Sequence, residues 1–344
     1  MYTLQNTLYV MTPNAYAHLE NNTVRIDVEH EKRLQVPLHH LGGLVCFGNI
    51  LVSPGLMHRL ADEGKSLVLL EESGRFKARL EGPVSGNILL RQAQHRLAVD
   101  QGFALEFARS IVAGKLKNSR NLLLRAARES TLLEEQQLLE KSAERLATFI
   151  RSVAKADNLN AARGIEGETA REYFAALNFV VKPQARDIFA FNGRTRRPPR
   201  DRFNALLSFL YSMLMNDCRS ALEAVGLDPQ LGFLHAVRPG RAALALDLQE
   251  EFRSIVADRL ALTLMNRGQL KAEDFEERPG GAVMLNDEGR RKVVGAWQER
   301  KQEVVTHPLL KTKLPIGLVF FIQARLMARV IRQEMEGYIP YVPR

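Results

Sequence analysis

The sequence predicts an α+β chain of more than one domain, a small N-terminal β-sandwich followed by a larger all-α helical domain. Three observations carry this expectation. Short apolar runs broken by Gly, Pro and Asn fill residues 4–80; turn formers crowd 81–87; and a Leu-, Ala-, Gln- and Glu-rich stretch from 88 to 158 has helical periodicity and no proline. The domains are therefore expected at 1–80 and 88–344, joined by a linker at 81–87. A chain of 344 residues, 46% hydrophobic and 25% charged, has ordinary globular composition and can build two cores.

Each element has a local reason. Leu4 to Met11 is an apolar run suited to a first strand, and Asn21-Asn22 makes a turn ahead of strict alternation at Val24, Ile26 and Val28. Ser53 caps a short helix through Leu60, with Pro54 at the first helical position. Leu44 to Phe47 and Leu67 to Leu70 are further apolar strand runs, and Ser73-Gly74 turns the chain into a last strand at 76–80. Beyond the linker two or three long helices are expected up to residue 158, then helices at 163–179, 201–225, 243–265, 287–304 and 314–336.

The formal net charge of +9 favours polyanionic partners, because clustered Lys and Arg displace condensed counterions from nucleic acid. Arg194, Arg196, Arg197, Arg200 and Arg202 crowd one Gly- and Pro-rich loop suited to a phosphate backbone, and Arg238 and Arg241 flank a second turn. Lys115, Lys117, Arg120, Arg125 and Arg128 read as an ordinary helix surface. Cys46 and Cys218 are far apart and form no Cys-x-x-Cys pair, which points to a reducing, cytoplasmic setting without a disulfide framework or zinc knuckle. The N-terminus has no signal-peptide pattern, and the apolar run from 316 to 322 is too short to span a bilayer. No P-loop, Gly-x-Ser-x-Gly elbow or His-Glu-x-x-His motif is present, so nucleotide hydrolysis, serine hydrolysis and zinc proteolysis lack their signatures.

The residues richest in chemistry lie between 232 and 253. Gly232-Phe-Leu-His235 leads through Arg238-Pro-Gly-Arg241 into a helix carrying Asp247, Glu250 and Glu251, which brings an imidazole and carboxylates together as a ligand set for a divalent metal working on phosphate. A third ligand has to come from elsewhere, and Glu166 qualifies: in a helix it shares the stripe of Ala170, Tyr173, Phe174 and Leu177, where a carboxylate needs compensation. Asp247, Glu250 and Ser254 fall on one face of their helix, whereas Glu251 is free to pair with Arg253 or Arg259. Spacing alone leaves these acids open, since a histidine beside a turn and acids on a helix are more often structural.

The order of these segments resembles the CRISPR-associated spacer-acquisition integrase family, the first core protein of that system (Cas-one). It is carried by Phe47-Gly48, Gly-Ile-Glu-Gly-x-x-Ala-x-x-Tyr at 164–173, Arg-Phe-Asn-Ala-Leu-Leu-Ser-Phe-Leu-Tyr at 202–211, Gly-Leu-Asp-Pro-x-Leu-Gly-Phe-Leu-His at 226–235 and Ala-Leu-Asp-Leu-x-Glu-Glu-Phe-Arg at 245–253. The resemblance implies Glu166, His235 and Glu250 as metal ligands for Mg2+ or Mn2+, with Asp247 in support, and so chooses Glu250 over Glu251. It further implies a homodimer paired through the N-terminal β domains, assembled with a dimer of Cas-two, that joins the 3′-hydroxyls of a short DNA fragment to a CRISPR repeat and also has nuclease activity. The ending Tyr338-Ile-Pro-Tyr-Val-Pro-Arg looks like that of the type I-C branch. Two other functions compete, a structure-specific repair nuclease and a non-catalytic DNA-binding scaffold.

Overall fold

The computed structural model describes residues 6–82, 88–191 and 193–343. The N-terminal region carries β1 (Asn6–Val10), β2 (Tyr16–Glu20), β3 (Thr23–Val28), β4 (Glu31–Pro37), β5 (Leu41–Phe47), β6 (Leu51–Val52), α1 (Pro54–Asp62), β7 (Ser66–Leu70) and β8 (Phe76–Leu80). They form two four-stranded sheets, ordered β1-β5-β7-β8 and β4-β3-β2-β6. The expected turns are present: Asn21 and Asn22 both have positive φ (48° and 58°) between β2 and β3, and Gly74 (80°) lies between β7 and β8. Ser53 caps α1 by accepting the N–H of Leu56 at 3.2 Å.

Between the sheets Val10, Leu44, Cys46 and Leu67 pack with Ala17, Val24 and Ile26, and Leu56 and Leu60 of α1 complete this core. Alternate residues of the same strands, Val45, Phe47, Val68 and Leu70, point the other way and join the core of the helical region. Leu41–Phe47 is buried on both faces, which explains its near-continuous apolar composition. Phe47 stacks on Phe209 at 5.7 Å. Of the expected linker at 81–87, residues 83–87 lie outside the described residues.

The larger region is mainly helical: α2 (Ile88–Val99), α3 (Gln101–Glu129), α4 (Leu133–Ala154), α5 (Leu159–Leu177), α6 (Pro183–Arg186), α7 (Arg202–Ala224), α8 (Ala243–Glu250), α9 (Arg259–Asn266), α10 (Asp287–Gln302) and α11 (Ile316–Ile331). Asp100, Asn158, Asp201 and Asn286 cap α3, α5, α7 and α10 with side-chain oxygens. α7 contributes Phe203, Leu206, Leu207, Leu210 and Leu214 to the centre of the core.

Three expectations need correction. The region is not all-α. β9 (Phe275–Arg278) and β10 (Ala282–Leu285) form an antiparallel ribbon around Gly280 and Gly281, whose φ values of 85° and 73° suit glycine, and β11 (Val304–Thr306) pairs with β12 (Lys313–Pro315). The last helix starts at Ile316 rather than 314, because Pro315 keeps Leu314 extended in β12. The helix expected over 243–265 is interrupted: α8 ends at Glu250, and Arg253–Asp258 is a π-helical turn leading into α9.

Candidate functional site

The site is built where α3, α5, α8 and the loop before α8 meet. Gly232 lets that loop lie against α8; a Cβ there would fall 2.7 Å from both Asp247 Oδ2 and the carbonyl carbon of Ala243. The loop hangs on one carboxylate. Asp247 is fully buried; its Oδ2 accepts the N–H groups of Phe233 (2.7 Å) and Leu234 (3.0 Å), and its Oδ1 accepts the N–H of His235 (2.9 Å). The imidazole Nδ1 of His235 is 2.7 Å from the same Oδ1. Donation from Nδ1 leaves Nε2 as the ring's acceptor, and Nε2 faces Glu250 Oε1 at 3.7 Å.

Glu250 closes α8 and is 1% exposed. Its Oε2 lies 2.7 Å from Lys115 Nζ, its Oε1 lies 3.0 Å from Arg253 Nη1, and neither oxygen has a hydrogen bond of regular geometry. Burial alone would raise this carboxyl, but the charges of Arg253 and Lys115 outweigh it and hold it at about 2. The Lys115 ammonium also contacts Glu166 Oε1 on α5. Glu166 and Glu250 are thus joined through Lys115, and His235 through Glu250.

A divalent cation fits this donor set. Two carboxylates and a neutral imidazole are hard-to-borderline ligands, Glu250 carries two buried oxygens without regular hydrogen bonds, and Asp247 fixes the imidazole tautomer from behind. Among the described residues no three His, Cys, Asp or Glu side chains already stand around a common point, because Lys115 lies between the two glutamates.

Reading Lys115 as helix surface is corrected here: it is 8% exposed. Its sequence signal was its place on the stripe of Ala104, Ala108 and Ile111, all buried on α3. Glu251 pairs with neither Arg253 nor Arg259. It accepts the Tyr338 hydroxyl and the Tyr341 N–H, both at 2.5 Å, and the Gln323 amide at 3.2 Å. Burial pushes its carboxyl up to about 7 despite these donors. Asn118 ties the same place together, donating to the carbonyls of Glu251 and Tyr341 at 2.8 Å each.

Sequence reading also missed the support beneath Arg253. The Tyr211 ring carries the guanidinium groups of Arg253 and Arg194 at 5.0 and 5.4 Å. Its hydroxyl donates to the buried Asp258 at 2.6 Å, as that of Tyr173 does at 2.7 Å. The π-helical turn brings Arg253 and Asp258 onto this one tyrosine, and such turns recur at functional sites.

The basic residues separate by exposure. Arg196, Arg197, Arg200 and Arg238 are exposed and Arg241 is half-buried. Arg194 turns inward, donating to Asn204 Oδ1 (2.7 Å) and Ser208 Oγ (3.0 Å), and Arg202 donates to the Ile188 carbonyl (3.1 Å). Arg200 contacts the Gly280 carbonyl. Beside Glu166 opens a cleft of about 580 Å³ with Ala170, Phe174 and Phe191 in its wall and Arg194 and Arg196 at its edge.

The family model for CRISPR associated protein Cas1 matches residues 8–299. The chain is 52% identical over 344 residues to the CRISPR-associated endonuclease Cas1 1 of Moorella thermoacetica, covering 100% of both chains. A casposase bound to its integration product has the same fold (TM-score 0.84, 21% identity), with 97% of this chain and 93% of that one covered. So has a chain of a Cas6-RT-Cas1–Cas2 complex (TM-score 0.84, 22% identity), of which this chain, wholly covered, spans 37%. With the model matched over most of its length and a relative identical at half of all positions, this chain belongs to the Cas1 family of CRISPR-associated proteins.

Proposed function

We propose that the chain is a divalent-metal-dependent DNA endonuclease and integrase of CRISPR adaptation, with Glu166, His235 and Glu250 as the residues that hold Mg2+ or Mn2+. The observation that carries this reading is the buried Glu250, whose two oxygens lack regular hydrogen bonds and face His235 Nε2 on one side and the Lys115–Glu166 pair on the other. The bound metal would supply charge for a phosphodiester oxygen and for the negative charge that builds at phosphorus.

The protein's own residues do the rest. Asp247 keeps a proton on His235 Nδ1 and the lone pair on Nε2. Arg253, seated on Tyr211, holds Glu250 ionised and in place. Arg238 and Arg241, in the turn after His235, and Arg196, Arg197 and Arg200 grip DNA phosphates; Arg194 and Arg202 shape their loop from within. In joining, a DNA 3′-oxygen forms the new bond to phosphorus while the repeat strand's own 3′-oxygen leaves; with water as the nucleophile the outcome is cleavage.

The working assembly is a homodimer joined through the strand-rich region and bound to a Cas2 dimer, a fragment of DNA and a CRISPR repeat. One solved neighbour of this fold is a chain of a Cas6-RT-Cas1–Cas2 complex and another is a casposase bound to its integration product, which supports partnership with Cas2 and with DNA. The protein works in the cytoplasm; among the described residues no helix is long and apolar enough to cross a membrane.

The test incubates the protein, with and without Cas2, with a 3′-hydroxyl duplex and a repeat plasmid in Mn2+, Mg2+ or chelator. Joined products should appear only with metal, and Glu166→Ala, His235→Ala and Glu250→Ala should each lose them while still binding DNA. Joining retained in all three variants would refute the ligand assignment. Metal-independent behaviour throughout would favour the scaffold reading, and preference for branched DNA the repair nuclease.

A further inference from the structure

We propose that Lys115 competes with the divalent ion for the space between Glu166 and Glu250, so that metal binds by expelling the ammonium. This rests on the assignment of those glutamates as metal ligands. Lysine is rarely buried without a partner, and here one ammonium serves two carboxylates, contacting Glu166 Oε1 and lying 2.7 Å from Glu250 Oε2. A cation placed between two carboxylates in a buried site has the position that a divalent ion also prefers, and like charges at such range repel strongly. Both cannot stay.

Arg253 is the other cation on Glu250, and it is the fixed one. Its guanidinium lies over Tyr211 at 5.0 Å and its Nη1 is 3.0 Å from Glu250 Oε1, while Tyr211 is itself tied to Asp258. Lys115 has no such seat: among the described residues its ion-pair partners are the two glutamates, and its head sits at the end of a flexible four-carbon stem that can swing outward while its methylenes remain packed. Glu166 opens the way, since it lines the cleft beside the site. Lys115 would then set the threshold for metal, holding the two acids together until enough divalent ion is present to replace it.

Amine footprinting of the wild-type protein reads this directly. An N-hydroxysuccinimide ester is added with and without saturating Mn2+, and labelling at Lys115 is followed by mass spectrometry. Lys115 should be protected without metal and labelled severalfold faster with it. Continued protection in saturating Mn2+ would overturn the proposal. Calorimetric titration with Mn2+ gives a second reading: Lys115→Met should bind about tenfold more tightly than wild type, a change of the size that residues behind metal ligands produce, and Lys115→Arg should not. Equal or weaker binding by Lys115→Met would also overturn it. Glu250→Gln separates the two ideas. If it binds Mn2+ as well as wild type, the ligand assignment fails; if it loses Mn2+ while Lys115 stays protected in the wild type, only the competition fails.

Discussion

His235 and Asp247 are bound twice over: the aspartate Oδ1 accepts the backbone N–H of His235 at 2.9 Å and lies 2.7 Å from its ring Nδ1. One buried carboxylate therefore sets both the course of the loop and the tautomer of the imidazole. Asp247→Asn offers a single oxygen to donors that now use two, and turns an amide N–H toward another donor. Joining should fall by about 10–100-fold, with a higher Mn2+ requirement, as for other residues that orient metal ligands. An unchanged Mn2+ dependence would count against this role.

Gly232→Ala tests the close approach that makes this bond possible. The new Cβ would meet the Ala243 backbone and the Asp247 carboxylate at 2.7 Å, and neither can yield without moving α8 or the loop. Stability should drop by about 1–3 kcal/mol, as for other overpacked sites, with joining reduced as well. Urea denaturation gives the first quantity; a variant as stable as wild type would show that the loop adapts.

Asp258 gives the pH dependence. Burial raises its carboxyl from the usual 3.8 to about 6, although Tyr211 and Tyr173 donate to it. Between those values the folded chain holds a proton that the unfolded chain has lost, so this group's share of stability is whole below about pH 4 and falls by roughly 3 kcal/mol as pH rises through 6. Asp258→Asn should remove that share of the slope. Denaturation at pH 4.5 and 7 decides: if the stability difference between variant and wild type is the same at both, the raised carboxyl is not there.

The arginine loop predicts two kinds of failure. Arg196→Ala and Arg197→Ala should each weaken DNA binding and lower the slope of log affinity against log salt by about 1, with the melting temperature unchanged. Arg194→Ala should instead destabilise the fold by about 1–3 kcal/mol, because it strips donors from Asn204 and Ser208 and uncovers Tyr211. Salt titrations of binding beside thermal melts separate them. Identical behaviour in all three would contradict the inward placement of Arg194.

Much of this was legible in the chain. Period-two runs, Asn-Asn and Ser-Gly turns and a Ser-Pro cap act over a few residues, and β2–β3, β7–β8 and α1 lie where those signals put them. Glu166 announced itself as an acid on an apolar stripe, and Gly232 and His235 by their place before α8. What escaped depends on distant partners. Glu251 is held from more than seventy residues away, beyond the reach of any local pattern, whereas Arg253 and Arg259 lie within about two turns of it. Lys115 looked like one of a basic series because the carboxylates that compensate it come from two other helices. The ribbon at 275–285 was hidden by charged residues on its open face, with Pro-Gly-Gly as the available hint.

The grip of Tyr338 and Tyr341 on Glu251 has a consequence for the order in which the molecule is completed. The acid and its two tyrosine partners are 87 and 90 positions apart, and a ribosome adding about 5–20 residues per second needs several seconds to cover that span. Through that interval the junction between Glu250 and the π-helical turn lacks the strand of chain that later presses on it, with Pro340 against Gly114 beside Lys115. Until residues 338–341 have been made, the end of α8, where the proposed metal-binding Glu250 lies, stands without the brace that Tyr338 and Tyr341 give it through Glu251.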